Sequence, residues 1–499
     1  MNPQSFPYNI TKESFFHPIE KLEVIETHIS WIVLTGRYAY KIKKAIEFDF
    51  LDYSTLEKRN YFCLEELRLN QRLASDLYLE VVAITGSYEK PCFDGEGEIV
   101  EYGVKMKQFD PSKGLDCVEL TPNNILQLAN QLVSFHRSIA IASMQSEYAT
   151  PAKVYQPMVN NFNYIQKLDG MDQSKLQSIE EWTKQSYQIL QNRLQERKRE
   201  GYVRECHGDM HLANMILIDD KVTIFDGIEF NASFRWIDTM SELAFTLMDL
   251  EFRGYQHYAT LLLNEYLEQS GDYEGLSLLN FYKTYRSMVR AKIAAIEFTQ
   301  SSQRDAYQKC NRYLDLAYSY TQVQKPLLMI TYGFSGSGKS SFVKKLLEHV
   351  DAIVLRSDVH RKRILEQNSD LYQEDRRNVV YAYLLKLATT TIEAGYHTIV
   401  DATFLSQKQR KAFTHLANQL GVEFVILACQ SEIEMCKERI LERQKRNLDP
   451  SDATVEVLNH QIAHYEPLSQ EEKEFAVEIY NCDLKEMNKV LKCFKPKYS

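Results

Sequence analysis

The stretch that most constrains this chain is "GFSGSGKS", residues 333 to 340. It sets Gly333, Gly338, Lys339 and Ser340 in the spacing G-x-x-x-x-G-K-[ST], after the apolar run "PLLMITYGF" and opening the amphipathic "SSFVKKLLEHV". Strand, glycine loop and helix in that order form a phosphate cradle. The small residues Gly333, Ser335, Gly336, Ser337 and Gly338 let backbone N–H groups wrap an anion at a positive helix end. Lys339 then reaches the β/γ oxygens and Ser340 presents a hydroxyl to Mg²⁺. The competing reading is a glycine-rich structural turn.

Beyond this loop, strand and helix alternate: "AIVLRSD", a helix pair, "HTIVDATF", a helix, "VEFVILACQ", an arginine-rich helical stretch and a terminal helix. That alternation predicts a parallel α/β sheet over residues 324–499. Asp358 and Asp401 fall at strand ends, where such sheets bind ligands. Arg439, Arg443 and Arg446 recur at i, i+4 and i+7, putting three guanidiniums on one helical face.

A second motif, "HGDMHLAN", spans residues 207–214. Asp209 and Asn214 lie five apart, and "MILIDDKVTIFD" predicts a hairpin turning at Asp219-Asp220 that returns Asp226 beside Asn214. Oxygen donors on Asn214 and Asp226 suit Mg²⁺, leaving Asp209 to accept a hydroxyl proton. Upstream, residues 21–44 read as three short strands, 54–77 as a helix capped by Ser54 or Thr55, and 77–110 as two more strands. Helical patterns dominate beyond Pro122. The expectation is therefore a β-rich lobe over 1–110, a helical lobe over 111–323, and a boundary near 324.

Composition narrows the setting. A net charge of −9 offers no general attraction to nucleic acid or anionic lipid. No apolar run approaches the roughly 18 residues a spanning helix needs, and the first residues lack a basic start with an apolar core. A cytoplasmic protein without nucleic-acid or membrane partners is expected. Nine scattered cysteines without a C-x-x-C pair predict reduced structural thiols, not zinc. Nothing in the sequence speaks to oligomeric state.

On these motifs, residues 20–320 resemble the aminoglycoside phosphotransferase and choline-kinase branch of the bilobal protein-kinase-like fold. The resemblance implies Asp209 as catalytic base and Asn214 and Asp226 as metal ligands, with His207 structural. It implies that Lys41 of "YAYKIKK" holds the α/β-phosphates, with Lys43 as the alternative, and that Glu65 or Glu66 is the ion-pair partner. It also makes "VKMKQFD", 104–110, the adenine hinge. One departure is that no G-x-G-x-x-G precedes the lysine strand, so Thr27, His28 and Ser30 would have to meet the phosphates. Another is Glu242, in place of the usual aspartate. Residues 325–499 resemble small P-loop kinases of the zeta-toxin and gluconate-kinase-like group, with AAA-type ATP binding. That implies Asp358 orienting or deprotonating the acceptor, Arg361 holding it, Asp401 near Mg²⁺, and Arg443 closing a lid on the transferring phosphate.

The reading is an α/β and α+β chain: a bifunctional kinase that uses ATP or GTP with Mg²⁺ on small-molecule hydroxyl acceptors the sequence does not specify. Two alternatives stand beside it. One domain is a nucleotide-sensing regulatory module, or the chain is an ATPase acting on a macromolecular partner.

Overall fold

Side chains alternate between two faces from Glu23 onward, and the chain folds accordingly. Strands β1 (Glu23–Glu26), β2 (Ser30–Leu34) and β3 (Tyr38–Lys43) form an antiparallel meander. The ribbon β4 (Glu47–Phe48) and β5 (Leu51–Asp52) leads into the helix Leu56–Ala74. Thr55, not Ser54, caps it by accepting the Lys58 N–H. Strands β6 (Tyr78–Ser87), β7 (Lys90–Phe93) and β8 (Ile99–Lys107) complete an antiparallel sheet of order β1-β2-β3-β8-β6-β7. Two strands are expected from sequence over 77–110; a turn after Ser87 makes them three. Val33, Tyr40 and Ile42 pack on one face with Phe15, Trp31 and Phe93. Ala39, Val104 and Met106 pack on the other beside Cys63 of the helix.

A helical lobe comes after the sheet, with helices Pro122–Ser138, Pro151–Ile165 and Gln173–Arg199. Strand β9 (Val203–Glu205) and the hairpin β10 (Met215–Ile218) and β11 (Lys221–Ile224) carry the motif, and β12 (Trp236–Asp238) pairs with β9. Helices Thr239–Phe252, Gln256–Ser270, Leu276–Ser301 and Arg304–Thr321 come next. An antiparallel sheet bearing one helix, then a helical lobe with its motif on a hairpin, is the bilobal kinase-like fold.

The remaining strands, β13 (Leu327–Tyr332), β14 (Ala352–Arg356), β15 (His397–Asp401), β16 (Glu423–Gln430) and β17 (Ala476–Tyr480), form one parallel sheet of order β14-β15-β13-β16-β17. This is the P-loop architecture, with β13 central and buried. The last strand was not expected from sequence: "AVEIY" pairs with β16 and buries Ile479 before the terminal helix Met487–Leu491.

This computed structural model describes residues 3–48, 50–168, 170–301, 303–322, 324–367, 373–446, 453–480 and 484–494. None of its described helices is long and apolar enough to cross a membrane. The chain divides into two compact units, Met1–Asp249 with Phe281–Ala317, and Leu250–Asn280 with Tyr318–Ser499. Residues 250–280, read from sequence as helical lobe, thus group with the P-loop unit.

Candidate active sites

In the first unit, strand alternation turns Lys41 and Lys43 to the helix-bearing face of the sheet. Lys41 Nζ lies 2.9 Å from Glu66 Oε1 and 2.6 Å from Asp226 Oδ1. Lys43 is fully buried, 2.6 Å from Glu66 Oε2, and also pairs with Glu229, whose Oε1 accepts the Tyr53 hydroxyl at 2.5 Å. Glu66 therefore bridges both lysines, so of the two candidates it, and not Glu65, is the partner. Successive helical residues point about 100° apart, and Glu65 instead binds Arg68 at 2.9 Å and Arg235 at 3.4 Å. Burial raises the Glu66 pKa, but Lys41 and Lys43 outweigh it and bring it down to about 2. For Lys41, burial lowers the pKa, yet Asp226 and Glu66 hold it well above the ordinary value.

The hairpin forms as its sequence directs. Asp219 and Asp220 take φ of 49° and 60°, the paired left-handed turn that Asp tolerates. The Phe225 N–H then donates to the Asn214 carbonyl at 3.0 Å, which brings Asp226 next to Asn214. Asp226 is itself left-handed (φ 63°) and is fixed by its N–H donating to the Tyr78 hydroxyl at 3.2 Å. Asn214 Nδ2 donates to the Asp209 carbonyl at 2.9 Å and to Asp209 Oδ2 at 3.1 Å. The amide oxygen is thereby the Asn214 atom that could hold a cation.

His207 is tied down from both ring nitrogens: Nε2 to the Phe225 carbonyl at 2.8 Å, Nδ1 to the Asp209 N–H at 3.3 Å. Burial, only partly countered by Glu242, lowers its pKa, so the neutral ring serves as a brace. Glu242 Oε1 accepts the N–H groups of His207 (2.7 Å) and Gly208 (2.8 Å), and Oε2 meets His136 at 2.9 Å. Asp209 stands 3.3 Å from His211. Burial pushes its carboxyl up, but His211, then Arg290 and His207, hold it far below the usual carboxylate range.

Two parts of the nucleotide reading meet a different geometry. The Thr27 hydroxyl donates to the Ser30 carbonyl and accepts the Ser30 N–H, both at 2.9 Å, so it closes the β1–β2 turn; His28 is exposed. Within 104–110, the Lys107 N–H is taken by the Leu77 carbonyl and the Gln108 N–H by the Arg37 carbonyl.

In the second unit, Gly333 and Gly336 have positive φ (146° and 81°). A Cβ on either would come within 2.4 Å of a backbone carbonyl, Cys429 or Cys436. Only glycine fits such approaches. Lys339 Nζ donates to the carbonyls of Gly333 (3.0 Å) and Phe334 (2.7 Å), and burial lowers its pKa against the pull of Asp401. The Ser335 N–H, expected at a phosphate, donates instead to Gln461 Oε1 at 2.9 Å. Asp401 hydrogen-bonds the Ser340 hydroxyl; burial raises its pKa, opposed by that bond and by Lys339.

A cavity of about 1240 Å³ gathers Gly336, Gly338, Lys339, Ser340, Asp358, Arg361, Asp401, Arg439 and Arg443. Asp358 and Arg361 are 3.5 Å apart on the helix Ser357–Gln367. Arg439 Nη1 contacts the Gly336 carbonyl at 3.3 Å, while Arg443 Nη2 is 3.4 Å from the Ala453 carbonyl. The Arg446 side chain lies outside the described residues. Glu229, Tyr78, His211 and Gln461 were missed by sequence reasoning, because no motif marks them.

Fold and side chains thus define one kinase-like unit and one P-loop unit. Residues 328–468 match the family described as AAA domain. Uncharacterized proteins of Mycobacterium bovis and Mycobacterium tuberculosis are 28% identical over 471 residues, covering 88% of this chain and 90% of each relative. Among solved structures, a choline/ethanolamine kinase family protein from Mesorhizobium loti covers 62% of this chain and 90% of its own, at 10% identity and a TM-score of 0.40. A gluconokinase from Sinorhizobium meliloti covers 34% and 95%, at 15% identity and a TM-score of 0.26.

Proposed function

We propose that the chain is a bifunctional ATP-dependent phosphotransferase, each unit transferring the γ-phosphoryl group to a hydroxyl of a small molecule. The observation that carries this reading is that each unit has its own lysine beside carboxylates, Lys41 with Glu66 and Asp226, and Lys339 within one cavity with Asp358 and Asp401. In the first unit Lys41 holds the α/β-phosphates while Asp209, its carboxyl held below the usual carboxylate range by His211, orients the acceptor hydroxyl and takes its proton as the P–O bond forms. In the second, the loop and Lys339 cradle the phosphates, Asp358 orients the acceptor, Arg361 holds it, and Arg439 and Arg443 face the transferring group.

Both donor sets are oxygens, Asn214 with Asp226 and Ser340 with Asp401, which suits a hard divalent cation. Mg²⁺ would supply charge neutralisation across the phosphates at both places. The remaining catalysis is positioning and electrostatics from the chain's own residues.

A metabolite-library screen for phosphate transfer from ATP and GTP tests this, with wild type, Asp209→Ala and Lys339→Ala run in parallel. Each variant is expected to lose a different product. If Asp209→Ala changes neither phosphorylation nor nucleotide binding, the first site is structural and the bifunctional reading fails.

A further inference from the structure

The helix Gln256–Ser270 precedes the P-loop by some 70 residues, yet its side chains are built into the P-loop unit. Asn264 covers the open edge of β14: its Nδ2 donates to the Ala352 carbonyl at 2.9 Å and its Oδ1 accepts the Val354 N–H at 2.7 Å. A side-chain amide thus occupies the place of a missing neighbour strand. At the far end, Arg363 donates to the carbonyls of Glu268 and Gln269, a cation on the negative end of a helix. Gly271 ends that helix at φ 80°, and a Cβ there would lie 3.2 Å from Arg363 Nη1. The Tyr273 hydroxyl lies 3.3 Å from Nε2 of buried His360.

One contact reaches the site. Glu268 Oε1 lies 3.3 Å from Arg356 Nη1. Arg356 ends β14, sits opposite Asp401 in the sheet register, and lines the cavity with Asp358 and Lys339. It acts on the Asp401 carboxyl electrostatically, and Glu265 of the same helix also faces it. Three carboxylates, Glu265, Glu268 and Asp401, therefore act on the Arg356 guanidinium. The pair with Glu268 engages Nη1 at the wall of the cavity that Arg356 lines, and a guanidinium carries further N–H donors for a second partner.

We propose that Glu268 is a positioning residue of the P-loop site: it holds Arg356 where its guanidinium binds an anionic group, carboxylate or phosphate, on the acceptor. The proposal rests on the P-loop unit being a kinase. Arg356 would fix one end of the acceptor while Asp358 addresses its hydroxyl.

The test uses the full chain carrying Asp209→Ala, so that only Lys339-dependent transfer is read. With the acceptor found by the screen, Glu268→Gln and Arg356→Gln are each expected to raise the acceptor KM tenfold or more while the KM for ATP moves less than twofold. Glu268→Asp should recover most of the loss, and the double variant should be no worse than Arg356→Gln alone. An unchanged acceptor KM in Glu268→Gln, or equal losses in ATP KM and thermal midpoint, overturns the proposal. If the screen yields no Lys339-dependent product, the kinase reading fails separately. Inorganic phosphate, titrated in the presence of saturating Mg·ADP, then serves as probe: tenfold weaker binding in both variants supports the Arg356 anion site, and unchanged binding sinks it.

Discussion

In the proposed reading the two sites hold a polyphosphate with opposite materials. The first unit uses charged side chains and one amide from four separate segments, Lys41, Glu66, Asp209 with Asn214, and Asp226, locked by a buried network that adds Lys43 and Glu229. The second uses eight consecutive residues whose glycines bring backbone against backbone. A site made of charges depends on desolvated pairing being complete. A loop made of backbone depends on the absence of a Cβ.

The largest effect should come from breaking that pairing. Lys43→Met leaves Glu66 and Glu229 buried with one cation removed, and is expected to destabilise the first unit by about 3–5 kcal/mol. Chemical denaturation should show its transition moving to lower denaturant while that of the second unit stays in place. Equal stability to wild type would mean the network is not the first unit's anchor.

Acid should separate the units differently. Burial, with Arg363 adding to it, pushes His360 down to about 4 from an ordinary 6.5. The unfolded chain then binds more protons between these values, so the stabilising contribution is full above pH 6.5 and drains away as pH falls toward 4. The linkage amounts to on the order of 3 kcal/mol. Thermal midpoints of the second unit should fall over that window, and His360→Phe should flatten the slope. His207 adds the same sign to the first unit, whereas Glu66 holds its charge to about pH 2.

The smallest effect sharpens the backbone half of the comparison. Gly336→Ala places a Cβ against the Cys436 carbonyl at positive φ, with a strain of about 1–3 kcal/mol. Nucleotide affinity of the second unit, measured calorimetrically with Asp209→Ala in the background, should drop roughly 10- to 100-fold. Binding to the first unit should not change.

Much of this was legible in the chain. The phosphate loop is contiguous, so its spacing alone names its residues. The hairpin was legible because Asp219-Asp220 is a turn pair between two β-rich runs, and register then delivers Asp226 to Asn214. Glu65 against Glu66 was not legible: both sit on one helix, and only packing against β3 chooses the residue that faces Lys41. The strand β17 was hidden because five alternating residues after an acidic helix carry too little period to declare themselves without β16 beside them.

Sequence by itself therefore determined the two phosphate motifs, the lobe order and the acids at the strand ends, since each depends on local spacing and strand or helix period. Tertiary structure decided what depends on distance. It made Glu66 the bridge, enlisted Glu229 and Gln461, and gave residues 250–280 to the P-loop unit. Those outcomes rest on desolvated charges and unpaired strand edges finding partners far along the chain, and no local pattern encodes such a partner.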